Sequence, residues 1–285
     1  MIFKAWSETH RGMVIEHPPL FKPSMLCDRS SATEAPAKSV INYAAKARAH
    51  APSLKMATAT FKFSNSTIKQ CLNEMHDKCP EATPFDFLAA LFWIHITRLM
   101  APQPDDHHSL SICLDFRRLV QPSIPLGYFG NALHFSHLSL NVEEMACSDL
   151  GKVVKLLHNH VSGITEEEFW SGIDWLKSQK DGEEKYSPPF NMYGPELTCV
   201  SMEHMITGNH SLVNAAIFKK KKKPVHVSFH VGNVEGDGLI VVMPSTEEGL
   251  ARTVSVTLPS NELAELYKDQ ALLRLEPTML LCGRT

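Results

Sequence analysis

The pattern of apolar and polar positions predicts alternating strands and helices from residue 57 onward. Residues 57–63 alternate between apolar and polar side chains, as in a half-buried strand. Ser64 then offers a helix N-cap, and apolar residues follow it at helical spacing. Thr83 and Pro84 begin a second helix, predicted over residues 85–100. Because apolar side chains lie on most of its faces, we expect this second helix to be buried.

The same reasoning predicts elements through to the end of the chain. Further strands are predicted at 111–115, 133–140, 197–202, 225–231, 239–243 and 253–258, and further helices at 149–163, 166–177 and 260–271. Ser260 is the predicted N-cap of the last helix. Helices between strands that return to one sheet imply a mixed sheet covered by helices. The predicted fold class is therefore α/β.

The first 56 residues do not follow this pattern. Residues 1–11 have the apolar positions of a short helix, which Gly12 ends. Residues 13–52 are rich in Pro, Ser and Ala and predict a long connector with one short helix near 40–50. Because a loop of this length is uncommon inside one compact domain, we interpret it as a crossing between two domains.

Composition and charge indicate a globular protein and argue against a nucleic-acid-binding or membrane-spanning one. The chain has 285 residues, of which 44% are hydrophobic and 21% charged, and its net charge is −3. This balance gives no reason to expect nucleic acid as a partner. The longest apolar run, 85–99, is broken by charged residues and is shorter than the roughly 20 residues of a membrane span. Without a signal-peptide pattern, we expect a cytoplasmic location.

The seven cysteines predict neither a disulfide framework nor a zinc site, because they are scattered and none has Cys-x-x-Cys spacing. His226 and His230 also do not predict a metal site, because four residues along a strand separate two side chains by about 13 Å. The five lysines at 219–223 are interpreted as a solvated hairpin tip, with a nuclear-import signal or acidic-partner patch as the alternative. The Gly-Asp-Gly at 236–238 is interpreted as a turn rather than a phosphate loop.

The most distinctive chemistry lies in residues 114–132, LDFRRLVQPSIPLGYFGNA. A buried strand is predicted to end at Asp115, and Arg117 and Arg118 follow where a cation can face an anionic group. Two prolines stiffen the next residues, and two glycines allow sharp turns around Tyr128. The segment therefore predicts a tight loop that presents aromatic rings and arginines at the end of a strand.

This Asp-x-Arg followed by Pro-x-x-Pro-x-Gly-Tyr-Phe-Gly-Asn resembles the BAHD family, the HxxxD-type plant acyltransferases that move acyl groups from coenzyme A. The resemblance implies a chloramphenicol acetyltransferase-like mixed sheet with covering helices. It further implies that acyl-CoA is a substrate and that no cofactor is permanently bound. The loop residues implied to have structural or channel roles are Asp115, Arg117, Tyr128, Gly130 and Asn131.

The family's catalytic motif, His-x-x-x-Asp-Gly, is implied to lie a few residues before Met1. None of the fifteen histidines has an Asp four residues later, so no catalytic residue is assigned in this chain. By this comparison the N-terminal third of a full-length relative is absent. The implied domains are a remnant helix of the N-terminal domain at 1–12, a crossover linker at 13–56 and the C-terminal acyltransferase-like domain at 57–285.

The family's second signature, Asp-Phe-Gly-Trp-Gly after a Tyr-Gly lead, is degenerate here. Tyr193 and Gly194 match the lead and Glu196 replaces the acid, but Thr198 and Val200 stand where both glycines would be. In the family the acid is structural: it pairs with a basic residue and braces the solvent channel. Arg117 is the expected partner of Glu196. The alternative is that Glu196 lies at the surface and Arg117 faces solvent.

The degenerate signature also suggests a branch of the family. Together with Gly-Asp-Gly at 236–238 and ARTVSV at 251–256, it resembles the eceriferum branch. Those proteins support very-long-chain fatty acid elongation for cuticular wax, with a condensing enzyme at the cytosolic face of the endoplasmic reticulum. The alternatives are a fragment of an ordinary acyl-CoA-dependent alcohol or amine acyltransferase of plant specialised metabolism, or a nonfunctional remnant.

Overall fold

The fold is taken from a computed structural model, which describes residues 2–21, 38–48, 54–100, 107–179, 193–207, 210–212, 216–218, 222, 224, 226–227, 231–232 and 234–284. The helices are α1 Ile2–His10, α2 Lys38–Arg48, α3 Asn65–Met75, α4 Pro84–Thr97, α5 Val142–Cys147, α6 Leu150–Ser162, α7 Glu166–Ser178, α8 Ser260–Leu266 and α9 Gln270–Leu273. The strands are β1 Met56–Phe63, β2 His107–Asp115, β3 Leu133–Asn141, β4 Leu197–Ser201, β5 Ile206–Thr207, β6 His210–Ser211, β7 Leu239–Pro244, β8 Arg252–Pro259 and β9 Thr278–Arg284.

Seven of these strands form one mixed sheet in the order β3-β2-β4-β7-β8-β1-β9. Strands β2, β4 and β7 run parallel to one another, and the remaining pairs are antiparallel. Parallel neighbours need crossovers, which helices α5 to α7 supply between β3 and β4. The α/β class predicted from the pattern is confirmed.

The core is centred on α4, whose every residue is buried. Its start follows from its sequence. Thr83 accepts a hydrogen bond from the Asp86 backbone, the Asp86 carboxylate accepts one from the Thr83 backbone, and Pro84 fits the first turn. The His158 Nδ1 atom on α6 lies 2.9 Å from Asp86 Oδ2, so this cap also joins two packed helices. The predicted buried helix is confirmed, although it ends at Thr97 rather than at residue 100.

The C-terminal segment differs from prediction. The helix predicted at 260–271 is two helices, α8 and α9, and Ser260 is not an N-cap because its hydroxyl donates to the Lys55 carbonyl at 2.8 Å. Asp269 starts α9 instead, accepting hydrogen bonds from Ala271 and Leu272, and its second oxygen lies 2.6 Å from His95 Nδ1. Strand β9 was not predicted, and it pairs with β1 at the sheet edge.

Parts of the predicted organisation lie outside the described residues. Of the strand predicted at 225–231, only residues 226, 227 and 231 are described, and none of them lies in a helix or strand. Residues 22–37 of the predicted connector are not described, whereas its short helix is present as α2. Where the chain is described, no helix is long and apolar enough to cross a bilayer.

The N-terminal helix α1 forms as predicted, and the chain leaves it at Gly12, whose φ of 73° favours glycine. Within the described part of the chain its apolar face is largely exposed: Ile2, Phe3 and Trp6 each expose more than half of their surface. The Trp6 ring meets the Phe218 ring edge-on at 5.2 Å between centroids.

Candidate functional site

The loop of the first signature is tied back to the end of β2 by one arginine. The Arg117 guanidinium binds both the Asp115 carboxylate and the Gly130 carbonyl, and the Arg117 backbone donates to Asp115 Oδ1 at 3.0 Å. Asp115 is almost fully buried, so this ion pair is largely shielded from water. The guanidinium also lies 5.8 Å from the centre of the Tyr128 ring. A Cβ atom at Gly130 would overlap the Tyr128 hydroxyl, so any larger residue there would displace this ring.

The same loop is also held by the start of the connector. The Leu20 backbone donates to the Gly127 carbonyl and accepts from the Phe129 backbone, both at 2.8 Å. The Phe21 and Phe129 rings meet at 5.6 Å between centroids. Asn131, by contrast, is exposed. The structure therefore brings Asp115, Arg117, Tyr128 and Gly130 together, and it adds a contact with residues 20–21 that the sequence did not predict.

A histidine that sequence analysis did not single out, His204, also belongs to this cluster. The His204 Nε2 atom lies 4.0 Å from Asp115 Oδ2. Burial, and then the charges of Arg117 and Arg118, lower the pKa of His204 to about 4, so its imidazole is neutral near pH 7. Because β2 and β4 are parallel, they end at the same edge, which places a residue just beyond β4 beside Asp115. The sequence could have indicated this placement, because His204 follows the strand predicted at 197–202.

The second signature lies at the other end of the same strands. The register pairs Leu110 of β2 with Leu197 of β4, so Glu196 sits beside the start of β2. Six residues of extended strand, about 20 Å, separate that point from Asp115. The expected Arg117–Glu196 pair is therefore wrong: Arg117 binds Asp115, and Glu196 binds Lys46 of α2.

Lys46 is the basic partner that braces Glu196. Its Nζ atom donates to Glu196 Oε1 and to the Gly194 carbonyl, both at 2.7 Å. The lysine side chain is 5% exposed and that of Glu196 is 16% exposed, so neither charge is well solvated. Tyr193 is half-buried and its carbonyl accepts from the Glu235 backbone at 3.2 Å. The alternative that Glu196 lies at the surface is thus also wrong.

A cavity of about 270 Å³ opens beside this pair, at the amino ends of β2, β4 and β7. Its lining residues include Glu196 and Asp237. Burial, and then the charge of Glu196, raise the pKa of Asp237 to about 6. Burial, and then Asp237, raise the pKa of Glu262 to about 7. The Glu262 Oε2 atom is buried and has no hydrogen-bond partner among the described residues. This end of the sheet therefore holds carboxyl groups that favour the protonated form.

Because folding raises the pKa values of Asp237 and Glu262, we expect the protein to lose stability as pH rises. A carboxyl group whose pKa is raised by folding binds its proton more tightly in the folded state, so the free energy of unfolding falls between about pH 4 and about pH 7. Asp237→Asn should remove part of this dependence and stabilise the protein by about 1–2 kcal/mol at about pH 8, with no gain at about pH 4.

Urea unfolding of both proteins across this pH range would measure the difference. The matched control is Glu265→Gln, which changes an exposed carboxylate on α8, the helix that carries Glu262. An equal effect of the two substitutions at high pH would contradict the assignment of the raised pKa to the cavity.

No cluster that could hold a metal ion occurs among the residues that the structure describes. The expectation that His226 and His230 are too far apart to share a metal ion cannot be compared with the structure, because His230 lies outside the described residues. Of the five lysines, Lys222 alone is described, and it is exposed. Gly236 has a φ of 67° and packs so closely against the Pro195 carbonyl that a side chain would overlap it, which explains this glycine in the turn before β7.

Comparison with solved structures shows the fold. The chain aligns with Fusarium graminearum TRI101 complexed with ethyl coenzyme A at a TM-score of 0.70 and 15% identity, covering 96% of this chain and 61% of that one. Vinorine synthase aligns at a TM-score of 0.60 and 14% identity, covering 96% of this chain and 58% of that one. At these identities the alignments show that the chain shares the fold of both proteins.

A curated relative and a family model identify the family. The oat (Avena sativa) hydroxycinnamoyl-CoA:5-hydroxyanthranilate N-hydroxycinnamoyltransferase is 20% identical over 285 residues, covering 93% of this chain and 59% of the relative. The chain thus spans less than two thirds of the length of the relatives it matches. A model described as the Transferase family matches residues 1–273. This chain therefore belongs to the Transferase family, the family of BAHD acyltransferases.

Proposed function

We propose that this chain is an eceriferum-like member of the family, which binds an acyl-CoA or its acyl chain and supports very-long-chain fatty acid elongation. The observation that carries the proposal is the geometry of β4. Thr198 and Val200, which replace both glycines of the second signature, lie in a regular strand between β2 and β7. Thr198 is fully buried there. The segment has the packing of an ordinary central strand, with no position that requires glycine.

The first signature supplies the proposed channel. Arg117 binds the Asp115 carboxylate, and the exposed Arg118 donates through its guanidinium to the Ile206 carbonyl at 3.0 Å. An arginine can form charged hydrogen bonds with phosphate groups, and we assign Arg118 that role toward coenzyme A. Tyr128 and the exposed Phe129 offer apolar surface on the same loop, which suits an acyl chain or its thioester arm. The shape of this loop, and of the channel wall it is proposed to form, depends on Asp115, Gly130 and Asn131.

The proposed partner is the condensing enzyme of a fatty-acid elongase, reached at the cytosolic face of the endoplasmic reticulum. In this role the chain contributes acyl-chain binding and a contact surface, while the condensing enzyme performs the bond-forming step. This role needs no histidine base in the chain, which agrees with a sequence in which no His is followed by Asp four residues later.

A second candidate is part of an ordinary acyl-CoA-dependent acyltransferase that acts on an alcohol or amine. The names of the relatives favour it. They include an Arabidopsis thaliana spermidine coumaroyl-CoA acyltransferase, 22% identical over 235 residues and covering 79% of this chain and 49% of the relative. This candidate shares the acyl-CoA site with the first and differs from it in the acyl group preferred.

Ligand binding separates the two candidates. Titration calorimetry should show that a saturated very-long-chain acyl-CoA binds more tightly than coumaroyl-CoA, because each additional buried CH₂ contributes about 0.8 kcal/mol. Arg118→Ala should weaken binding of both ligands by about tenfold through loss of a charged contact, whereas Arg274→Ala, which changes another exposed arginine, should not. Tighter binding of coumaroyl-CoA would favour the second candidate, and no binding of either ligand would overturn both.

A further inference from the structure

The segment 202–206 forms a short turn that joins β4 to β5 beside the loop of the first signature. Its 3₁₀ helical part is closed by a hydrogen bond from the Ile206 N–H to the Glu203 carbonyl. The Ile206 carbonyl at its end accepts from the Arg118 guanidinium at 3.0 Å, and His204 of the same turn lies beside Asp115. The position of this turn therefore affects how Arg118 is held.

Arg252, the first residue of β8, holds the turn by a bidentate ion pair. Its Nε and Nη2 atoms lie 2.6 Å and 2.8 Å from the two carboxylate oxygens of Glu203. Its Nη1 atom donates to the Ala251 carbonyl at 3.0 Å and to the Gly249 carbonyl at 3.3 Å. Arg252 is 3% exposed, so all three guanidinium nitrogens are engaged inside the protein. A bidentate pair of this kind fixes direction as well as distance.

The structure around Arg252 is itself well fixed. Strand β8 lies inside the sheet, between β7 and β1. In the loop before β8, the Leu250 backbone donates to Asn65 Oδ1 at 2.8 Å, and a Cβ atom at Gly249 would overlap the same oxygen. The carbonyl groups that accept from Arg252 are therefore held by α3 as well as by the sheet. Through Arg252, this rigid part of the fold reaches Glu203 of the turn.

We propose that Arg252 is a positioning residue for acyl-CoA binding, which acts on Arg118 through the turn at 202–206. By holding Glu203 it fixes the turn, and the Ile206 carbonyl then sets the direction of the Arg118 guanidinium. This inference rests on the proposed function, because it takes from there the contact between Arg118 and the phosphate groups of coenzyme A. It also gives a role to the segment 251–256, which the two signatures do not include.

A lysine at this position should not replace the arginine. Lysine carries a compact charge without the planar fork of a guanidinium, so Arg252→Lys keeps a cation beside Glu203 but loses the bidentate geometry. The turn then becomes less restricted, and the Arg118 guanidinium is held less often in the direction that suits a phosphate. The expected result is weaker binding of the phosphate-bearing part of the ligand in a chain that still folds.

Titration calorimetry of the 285-residue chain with a saturated very-long-chain acyl-CoA tests the proposal. Arg252→Lys should weaken binding by about threefold to tenfold, because a charged contact is misplaced rather than removed. The matching acyl-pantetheine, which has no phosphate group, should bind the variant and the unmodified chain equally. The control is Lys62→Ala, which breaks an ion pair between β1 and Glu247 in the loop before β8 and should leave acyl-CoA binding unchanged.

A double substitution separates positioning from a general loss of structure. If Arg252 acts through Arg118, then Arg252→Lys should weaken binding no further in a chain that already carries Arg118→Ala. Losses that multiply, or an equal loss of acyl-pantetheine binding, would overturn the inference.

A second variant covers the case in which Arg252→Lys does not fold, as judged by circular dichroism. Glu203→Gln keeps the size of the side chain and one acceptor oxygen, and it should weaken acyl-CoA binding in the same way. Unchanged acyl-CoA binding in the folded variants, together with weaker binding in Arg118→Ala, would overturn this inference and leave the proposed function standing. Unchanged binding in Arg118→Ala would overturn the proposed role of Arg118 itself and this inference with it.

Discussion

Lys46→Ala is expected to lower the free energy of unfolding by about 3–5 kcal/mol, because it leaves the Glu196 carboxylate buried without its cation. The lysine has a second role that adds to the cost: the Gly194 carbonyl also loses its donor. Guanidinium unfolding followed by circular dichroism would measure the change. Of the substitutions considered for this chain, this one is expected to have the largest effect on stability.

A double substitution would show whether the Lys46–Glu196 ion pair itself stabilises the protein or whether the loss of stability comes from disturbed packing. Lys46→Met with Glu196→Gln removes both charges, and its cost should be smaller than the sum of the two single costs. The control is Lys268→Ala, which breaks an ion pair with Glu265 in which both side chains are more than half exposed. We expect the control to change stability by about 1 kcal/mol or less. A Lys46→Ala variant as stable as the control would refute the brace.

Acyl transfer by the 285-residue chain is expected to be undetectable. Loss of a positioned general base typically costs about 10²–10⁴ in rate, and no histidine of the chain has the Asp spacing of the family's base. Two histidines that bind carboxylates have structural roles: His95 meets the Asp269 cap and the half-buried His158 meets the Asp86 cap. His204 does lie beside the first-signature loop, 4.0 Å from Asp115, but it too lacks the Asp spacing of the family's motif.

The assay would follow free thiol release from coumaroyl-CoA and from a long-chain acyl-CoA, each with an alcohol and with an amine acceptor. The oat relative serves as the positive control, and heat-denatured chain serves as the background. Turnover that exceeds this background with any donor and acceptor would contradict the prediction, and it would direct attention to a base outside the His-x-x-x-Asp motif.

Local signals in the sequence predicted the elements well where the relevant physics is local. Ser64 caps α3 and Thr83 caps α4 as predicted, because a cap depends only on residues within one turn. The long apolar run predicted a buried α4 for the same reason. Ser260 failed as a cap because a distant acceptor, the Lys55 carbonyl, took its hydroxyl proton. Strand β9 was missed because its pairing with β1 joins segments more than 200 residues apart.

The site was predictable only within one segment. The loop around Asp115 and Arg117 is a short-range unit, so the sequence alone could indicate that its residues lie close together. The partner of Glu196 was assigned wrongly because the direction and register of β2 and β4 decide which residues share an end of the sheet. His204 was missed for the same reason, since its closeness to Asp115 depends on the parallel pairing. Spacing along a chain does not contain that information.

The separation of the two signatures along β2 and β4 has an evolutionary consequence. The two ends lie about 20 Å apart along the strands, and substitutions at that distance with no shared partners usually act independently. Substitutions around Glu196 could then accumulate without moving the loop around Asp115. A lineage can thus lose the second signature while keeping the first under selection, and the two motifs report on different properties of the protein. Decay of one is a poor guide to the fate of the other.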